Sequence, residues 1–356
     1  MIKIDAVEVL DRYKNILWPE IEKHLDLIKN YPTFCQIKPG YQPLLDFHFK
    51  MVSDYPKRKG KYLRPTLLML TAQSLGVDLK NTLLTAESMQ ISEDWILNHD
   101  DIEDQSEQRR GQPALQKIYG NELALNAGDA LHLLMWQVLA KNYLILDKNI
   151  AQKIEDEFFT MINRTILGQT IEIKWTQENR FDLTEEDILL ILESKTGYYT
   201  IAGPMRLGAI LASANEFQLE SIYRFGVLLG RSFQIVDDLL DLTSNFAGQK
   251  KQKGNDIYEG KRTIMLIHLL NNASPEDLSK LKEILNKAGT KKSPEEVAWV
   301  IRKMEEYKSL DHGRELVKQF ATEANIIFDQ ELTFFNKEPF NSELKLIFDF
   351  IITRDH

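Results

Sequence analysis

The residues best suited to chemistry in this sequence are two clusters of aspartate. Asp100, Asp101, Glu103 and Asp104 stand together in NHDDIEDQSEQRRGQP, on a stretch without glycine or proline from Val77 to Arg110, so they belong within or near the end of a helix. Residues four apart share a helix face, which puts Asp100 beside Asp104, where like charges repel unless a cation lies between them. Oxygen-only ligands of that kind suit magnesium, which keeps several waters and shares its other positions with substrate phosphates. Asp237, Asp238 and Asp241 repeat the spacing in FQIVDDLLDL. There Ile235, Val236, Leu239, Leu240 and Leu242 make the helix apolar on most sides, so its carboxylates are expected to face an interior cleft and to need cations or metal. A solvated acidic face accounts for the first cluster taken alone and fits the second poorly.

Cations gather in three knots: Lys61 and Arg64 in GKYLRP, Arg109 and Arg110 in RRGQP, and Lys251, Lys253 and Lys261 after the second cluster. Each is weak evidence by itself. Two acidic helices and several guanidinium and ammonium groups make sense together when the ligand is a diphosphate, held partly through metal and partly by direct charged hydrogen bonds.

The elements that must carry these groups read as helices almost throughout. Leu10, Tyr13, Leu17, Ile21, Leu25 and Ile28 form one apolar helical stripe. Thr184 with Asp187, Ser274 with Asp277 and Ser293 with Glu296 fit helix-capping patterns, the last two with proline at the first helical position. Alternating strand-like runs bounded by Asn-Gly turns are absent, as are internal repeats. YPTFCQIKPGYQP and the stretch from Ser244 to Asp256 are the expected long loops.

Composition narrows the class further. The 356 residues are 43% apolar, enough for a substantial core. The single Cys35 excludes an internal disulfide framework and points to a reduced, cytoplasmic compartment. A formal charge of -9 argues against nucleic acid as a partner. The most apolar stretch, LALNAGDALHLLMWQVLA, is broken by Asn126, Asp129, His132 and Gln137, so no membrane span is expected, and the N-terminal residues show no secretion signal.

In order, GKYLRP, DDIED with RRGQP, GQTIE, KTGYYTIAGPMRLGA, FQIVDDLLD and GNDIYEGKRT make the chain resemble the trans-isoprenyl diphosphate synthases, the polyprenyl synthetase family. The resemblance implies an all-α fold, one large helical bundle of the isoprenoid synthase type around a central apolar cavity, with the two acidic helices facing one another. Residues 1–356 would form a single domain, with residues 1–50 and 275–356 as helical scaffold. It implies an enzyme that condenses isopentenyl diphosphate with an allylic diphosphate to a short-chain trans-polyprenyl diphosphate, geranylgeranyl favoured and farnesyl next, and that works as a homodimer.

Residue by residue, the resemblance implies three magnesium ions, two held by Asp100 and Asp104 and the third by Asp237, with Asp101, Asp238 and Asp241 supporting ligands or waters. Glu172 in GQTIE would lie near the metals and Gln169 beside it. Arg109, Lys195 and Lys261, with Lys251 from the loop, would grip the allylic diphosphate. Lys61, Arg64 and Arg110 would hold isopentenyl diphosphate. Thr196 and Gln234 would stand beside the reacting carbon. Trp95 and Ile96, one turn before the first cluster, would floor the cavity and limit product length.

The chain departs from the family pattern at two places. Glu93 stands where histidine or glutamine is usual against the second diphosphate, so either it pairs with Lys61 or Arg64, or it is protonated, or the register is off by a turn. KKQKGND replaces the usual glycine-lysine opening, which leaves Lys251 and Lys253 as alternatives. A terpene cyclase of the same fold and a non-catalytic partner of a synthase are the competing readings. Asp237 to Asp241 and the paired Arg109 and Arg110 argue against the first, and the completeness of both acidic clusters argues against the second.

Overall fold

The structure, a computed structural model, describes residues 5–29, 38–243 and 253–353. Its first helices are α1 (Ala6–Leu25), α2 (Gln42–Val52), α3 (Asp54–Arg58), α4 (Leu63–Ser74) and α5 (Leu83–Glu103). A short hairpin follows, β1 (Gln108–Arg109) with β2 (Gln112–Pro113), then α6 (Leu115–Tyr119), α7 (Asn121–Ala140), α8 (Lys148–Gln177) and α9 (Glu185–Ile191). A π-helix, Leu192–Ala202, runs into α10 (Gly203–Leu211), followed by α11 (Glu216–Thr243), α12 (Asn255–Glu259) and α13 (Ile264–Asn272). The chain closes with α14 (Pro275–Leu285), α15 (Pro294–Glu306), α16 (Ser309–Glu331) and α17 (Phe340–Thr353). The all-helical expectation holds, and among the described residues the RRGQP hairpin is the exception.

The chain divides into two compact units. The first comprises Met1–Glu157, Pro204–Ala214 and Phe335–Leu344. Its α1 buries Leu10, Tyr13, Leu17, Ile21 and Leu25 as the stripe predicts, but the helix ends at Leu25 and Ile28 falls in a half-buried 3-10 turn. In the same unit α5 lies along α7, where the Asn98 amide donates to the Ala124 carbonyl at 2.7 Å. The second unit comprises Phe158–Gly203, Asn215–Phe334 and Lys345–His356, and in it α11 packs against both the π-helix and α16.

The caps explain where several helices begin. Thr184 and Ser293 each form the reciprocal box with Asp187 and Glu296. The Ser274 cap is only half of such a box, because the Asp277 carboxylate turns instead to the Tyr307 hydroxyl at 2.8 Å and to Lys303 at 3.2 Å. Thr263 caps α13 by accepting the Leu266 N–H. Of the two expected loops, residues 30–37 and 244–252 lie outside the described residues, and with them Cys35 and Lys251. The C-terminal part of the first loop is not loop at all, since α2 starts at Gln42 with Pro43 in its first turn.

Candidate active site

In the first unit the acidic cluster closes α5. Asp100 and Asp104 are half-buried, and Asp104 is the C-cap residue whose N–H reaches the Asp100 carbonyl at 2.8 Å. Asp101 points the other way and is fully buried. Arg109 grasps it with Nε, at 3.1 and 3.0 Å from the two carboxylate oxygens, and with Nη2, while the Tyr55 hydroxyl donates to Oδ2. Burial works against the Arg109 charge, but the hydrogen bonds and the field of Asp101 outweigh it and hold the guanidinium above its ordinary pKa.

Arg109 and Arg110 sit on the hairpin. Arg110 and Gly111 both have positive φ, 51° and 75°, at a two-residue connection between β1 and β2. Glycine takes that conformation freely; arginine does so at a cost of about 1–2 kcal/mol, so its side chain must be well held. It is: Nη1 donates to the Tyr55 carbonyl and to Asp94 Oδ1, both at 2.8 Å, and Nη2 stands 3.6 Å from Glu93. Gly60 makes room for it, since a methyl there would meet Arg110 Nη2 at 2.9 Å.

Arg64 on α4 reaches Glu93 at 3.3 Å, so Glu93 pairs with Arg64 and Arg110, the first of the three alternatives. Lys61 is exposed, two residues before α4. Trp95 is buried and lies flat on His132 of α7, with ring centres 3.9 Å apart and planes 15° apart. His132 in turn accepts the Trp136 indole N–H at 2.9 Å. Ile96 is half-buried.

In the second unit α11 carries Asp237 and Asp241 half-buried and Asp238 buried. The Thr196 hydroxyl, on the π-helix, donates to Gln234 Oε1 at 2.9 Å, and the Gln234 amide donates to Asp238 Oδ1 at 2.8 Å. This chain fixes the amide with its oxygen toward the hydroxyl. Lys195 pairs with Glu172 at 2.7 Å, and Gln169 is half-buried on α8. Asp241 accepts the N–H groups of Asn255 and Asp256, both at 3.2 Å, and so caps α12. Lys261 lies 2.7 Å from Glu259 and 3.7 Å from Asp256, whereas Lys253 is exposed in the turn before α12.

A sequence profile of the polyprenyl synthetase family matches residues 47–304. The chain belongs to that family. It is a prenyltransferase, and the curated relatives it matches include the geranylgeranyl diphosphate synthase of Saccharolobus solfataricus, 31% identical over 83% of this chain and 84% of that one. Among solved structures it is similar to the geranylgeranyl pyrophosphate synthetase of Pyrococcus horikoshii, with a TM-score of 0.82 at 24% identity over 98% of each chain. It is also similar to the geranylgeranyl pyrophosphate synthase of Corynebacterium glutamicum, complexed with isoprenyl diphosphate and magnesium, with a TM-score of 0.85 at 22% identity, covering 97% of this chain and 99% of that one. At these identities the two structures establish the fold.

The structure adds candidate site residues that the sequence reading does not single out. Asp256 joins the second acidic cluster: burial, opposed by Lys261 and reinforced by Asp241 and Glu259, pushes its carboxyl up to about 7. Burial likewise raises Asp238, with Asp256 and Asp237 adding to the effect. Carboxylates outnumber cations here, a donor set with room for more positive charge. Among the described residues no group of three or more His, Cys, Asp or Glu side chains is arranged to hold a metal ion. Glu193 on the π-helix was also missed; it takes Arg164 at 2.9 Å, Arg231 at 3.0 Å and the Tyr223 hydroxyl. For Glu193 the signal is tertiary, because its partners stand 29 to 38 residues away, whereas Asp256 lies within GNDIYEGKRT and only its burial among other carboxylates sets it apart.

Proposed function

We propose that this synthase condenses isopentenyl diphosphate with an allylic diphosphate to give geranylgeranyl diphosphate, with farnesyl diphosphate the next choice. The observation that carries the reading is the Thr196–Gln234–Asp238 chain beside the carboxylates of α11. It presets a hydroxyl and an amide oxygen next to carboxylates suited to hold the metal that would take a leaving diphosphate, where fixed dipoles stabilise a developing allylic cation.

Magnesium would be held by Asp100 and Asp104 in the first unit and by Asp237 in the second, three ions in all, with Glu172 nearby. When bound, it draws charge from the departing diphosphate and lowers the barrier to ionisation. The chain's own residues do the rest. Arg109, Lys195 and Lys261, with Lys251 or Lys253, hold the allylic diphosphate by charged hydrogen bonds. Lys61, Arg64 and Arg110 hold isopentenyl diphosphate. Glu93 lowers the net charge of that basic group without emptying it, since it is shared between Arg64 and Arg110. Asp238 orients Gln234, and Gln234 orients Thr196. The apolar side chains around the reacting carbons exclude water from the cation, and the released diphosphate takes the proton lost at elimination.

Trp95, with Ile96, sets product length. Its indole, stiffened by the stack on His132, stands one helical turn before Asp100, where a growing chain would be stopped. A homodimer is supported by exposed apolar side chains on α6 and α7, Ile118, Leu123, Leu125 and Leu133. Among the described residues no helix is long and apolar enough to cross a membrane; the single cysteine supports a cytoplasmic location. The test is incubation with isopentenyl diphosphate and each allylic primer, with chain-length analysis of the product. A cyclised hydrocarbon in place of a longer diphosphate would reject the reading.

A further inference from the structure

Tyr55 is buried to the last ångström of its side chain, on α3, a helix of five residues, DYPKR, for which neither the acidic clusters nor the basic knots supply a reason. Its hydroxyl donates to Asp101 Oδ2 and accepts the Leu115 N–H at 3.2 Å. Its backbone carbonyl accepts Arg110 Nη1 at 2.8 Å. Three residues on, Arg58 is tied to Asp54 at 2.6 Å, reaches the Arg109 carbonyl at 3.0 Å with Nη1, and lays its guanidinium over the Tyr55 ring at 4.8 Å. One short helix therefore touches Asp101, Arg109 and Arg110 at once.

We propose that Tyr55 is the positioning residue that presets both halves of this basic and acidic group, its hydroxyl holding Asp101 and Arg109 and its carbonyl holding Arg110. The inference rests on the prenyltransferase reading. Asp101 is fully buried, and its oxygens are taken up by Tyr55 and Arg109, so it acts by holding Arg109 in place and by anchoring the last turn of α5, on which Asp100 and Asp104 stand. A buried carboxylate that loses one of its donors must find another or shift toward those that remain. The two halves can be separated, because phenylalanine at position 55 keeps the ring and the carbonyl and removes only the hydroxyl.

The experiment compares wild type and Tyr55→Phe, with circular dichroism to establish that the variant is folded. Thermal melts with magnesium and inorganic diphosphate give a readout independent of turnover, and steady-state kinetics are taken with each substrate varied. The expected result is that Tyr55→Phe raises the magnesium needed for half-maximal stabilisation and the KM for the allylic primer by about tenfold, while the KM for isopentenyl diphosphate changes by less than about twofold, since the carbonyl contact to Arg110 survives. Tyr55→Phe in an Asp101→Asn background should add little, as its effect runs through that carboxylate. Unchanged magnesium dependence and primer KM, or an equal rise in both KM values, would overturn the assignment. A wild-type chain that makes no product and is not stabilised by magnesium and diphosphate would instead overturn the enzymatic reading beneath it.

Discussion

Gly197 and Gly230 meet backbone to backbone: a Cβ on Gly230 would stand 2.3 Å from Gly197 Cα and 3.2 Å from its N and C atoms. The contact brings the π-helix against α11 beside Thr196 and one turn before Gln234, the pair joined at 2.9 Å. Gly230→Ala should force the helices apart, with a cost of about 1–3 kcal/mol and a fall in kcat as the hydroxyl and amide separate. Gly40→Ala, where nothing lies within 4 Å, serves as the control and should leave both unchanged. Thermal denaturation and steady-state kinetics check both variants.

Asp94 gives a pH signature. Burial raises its carboxyl to about 6, with Arg110 pulling the other way and Glu93 adding to the rise. Between an ordinary aspartate pKa of about 4 and about 6, the folded chain keeps a proton that the unfolded chain has released, so this group's contribution to stability falls as pH rises through that window and is flat above it. Asp94→Asn removes the titration. The difference in Tm between wild type and variant should therefore decline from about pH 4 to about pH 6 and then level off. A difference constant across that range would contradict the assignment.

The two diphosphates should be separable by mutation. Lys61→Ala and Arg64→Ala each remove a charged contact of about 1.5–3 kcal/mol to isopentenyl diphosphate, a rise in its KM on the order of 10- to 100-fold. Lys261→Ala should act mainly on the allylic substrate. Arg64→Ala also leaves Glu93 to Arg110 alone, so it should be the more damaging of the first two. Kinetics with each substrate varied decide this, and equal effects on both would favour a general electrostatic role.

Product length should respond to Trp95. Trp95→Ala removes the ring stacked on His132 and should lengthen the product by at least one five-carbon unit. Truncating a buried tryptophan also costs about 3–5 kcal/mol, so product analysis is paired with a melt. An unchanged product from a folded, active variant would remove Trp95 as the determinant.

What could be read in the sequence was what a single helix encodes. Asp100 with Asp104 and Asp237 with Asp241 share a face by spacing alone, and the caps at Thr184 and Ser293 are local. The rest depends on residues brought together by folding. Tyr55 is 46 residues from Asp101, and Asp94 is 16 from Arg110. Asp256 reads as part of a loop until its side chain is seen among other carboxylates. The hairpin was hidden because its turn places an arginine at positive φ, which local preference disfavours and only the contacts to Asp94 and Tyr55 sustain. Nothing in the composition of Leu192–Ala202 distinguishes a π-helix from an α-helix, yet that segment carries Lys195 and Thr196.

The most direct test of the central claim is product formation from isopentenyl diphosphate and farnesyl diphosphate with magnesium, measured for wild type, Asp100→Ala and Asp237→Ala. The account predicts geranylgeranyl diphosphate and inorganic diphosphate from wild type, none without magnesium, and almost none from either variant although both remain folded. Near-normal turnover by either variant at saturating magnesium would contradict it.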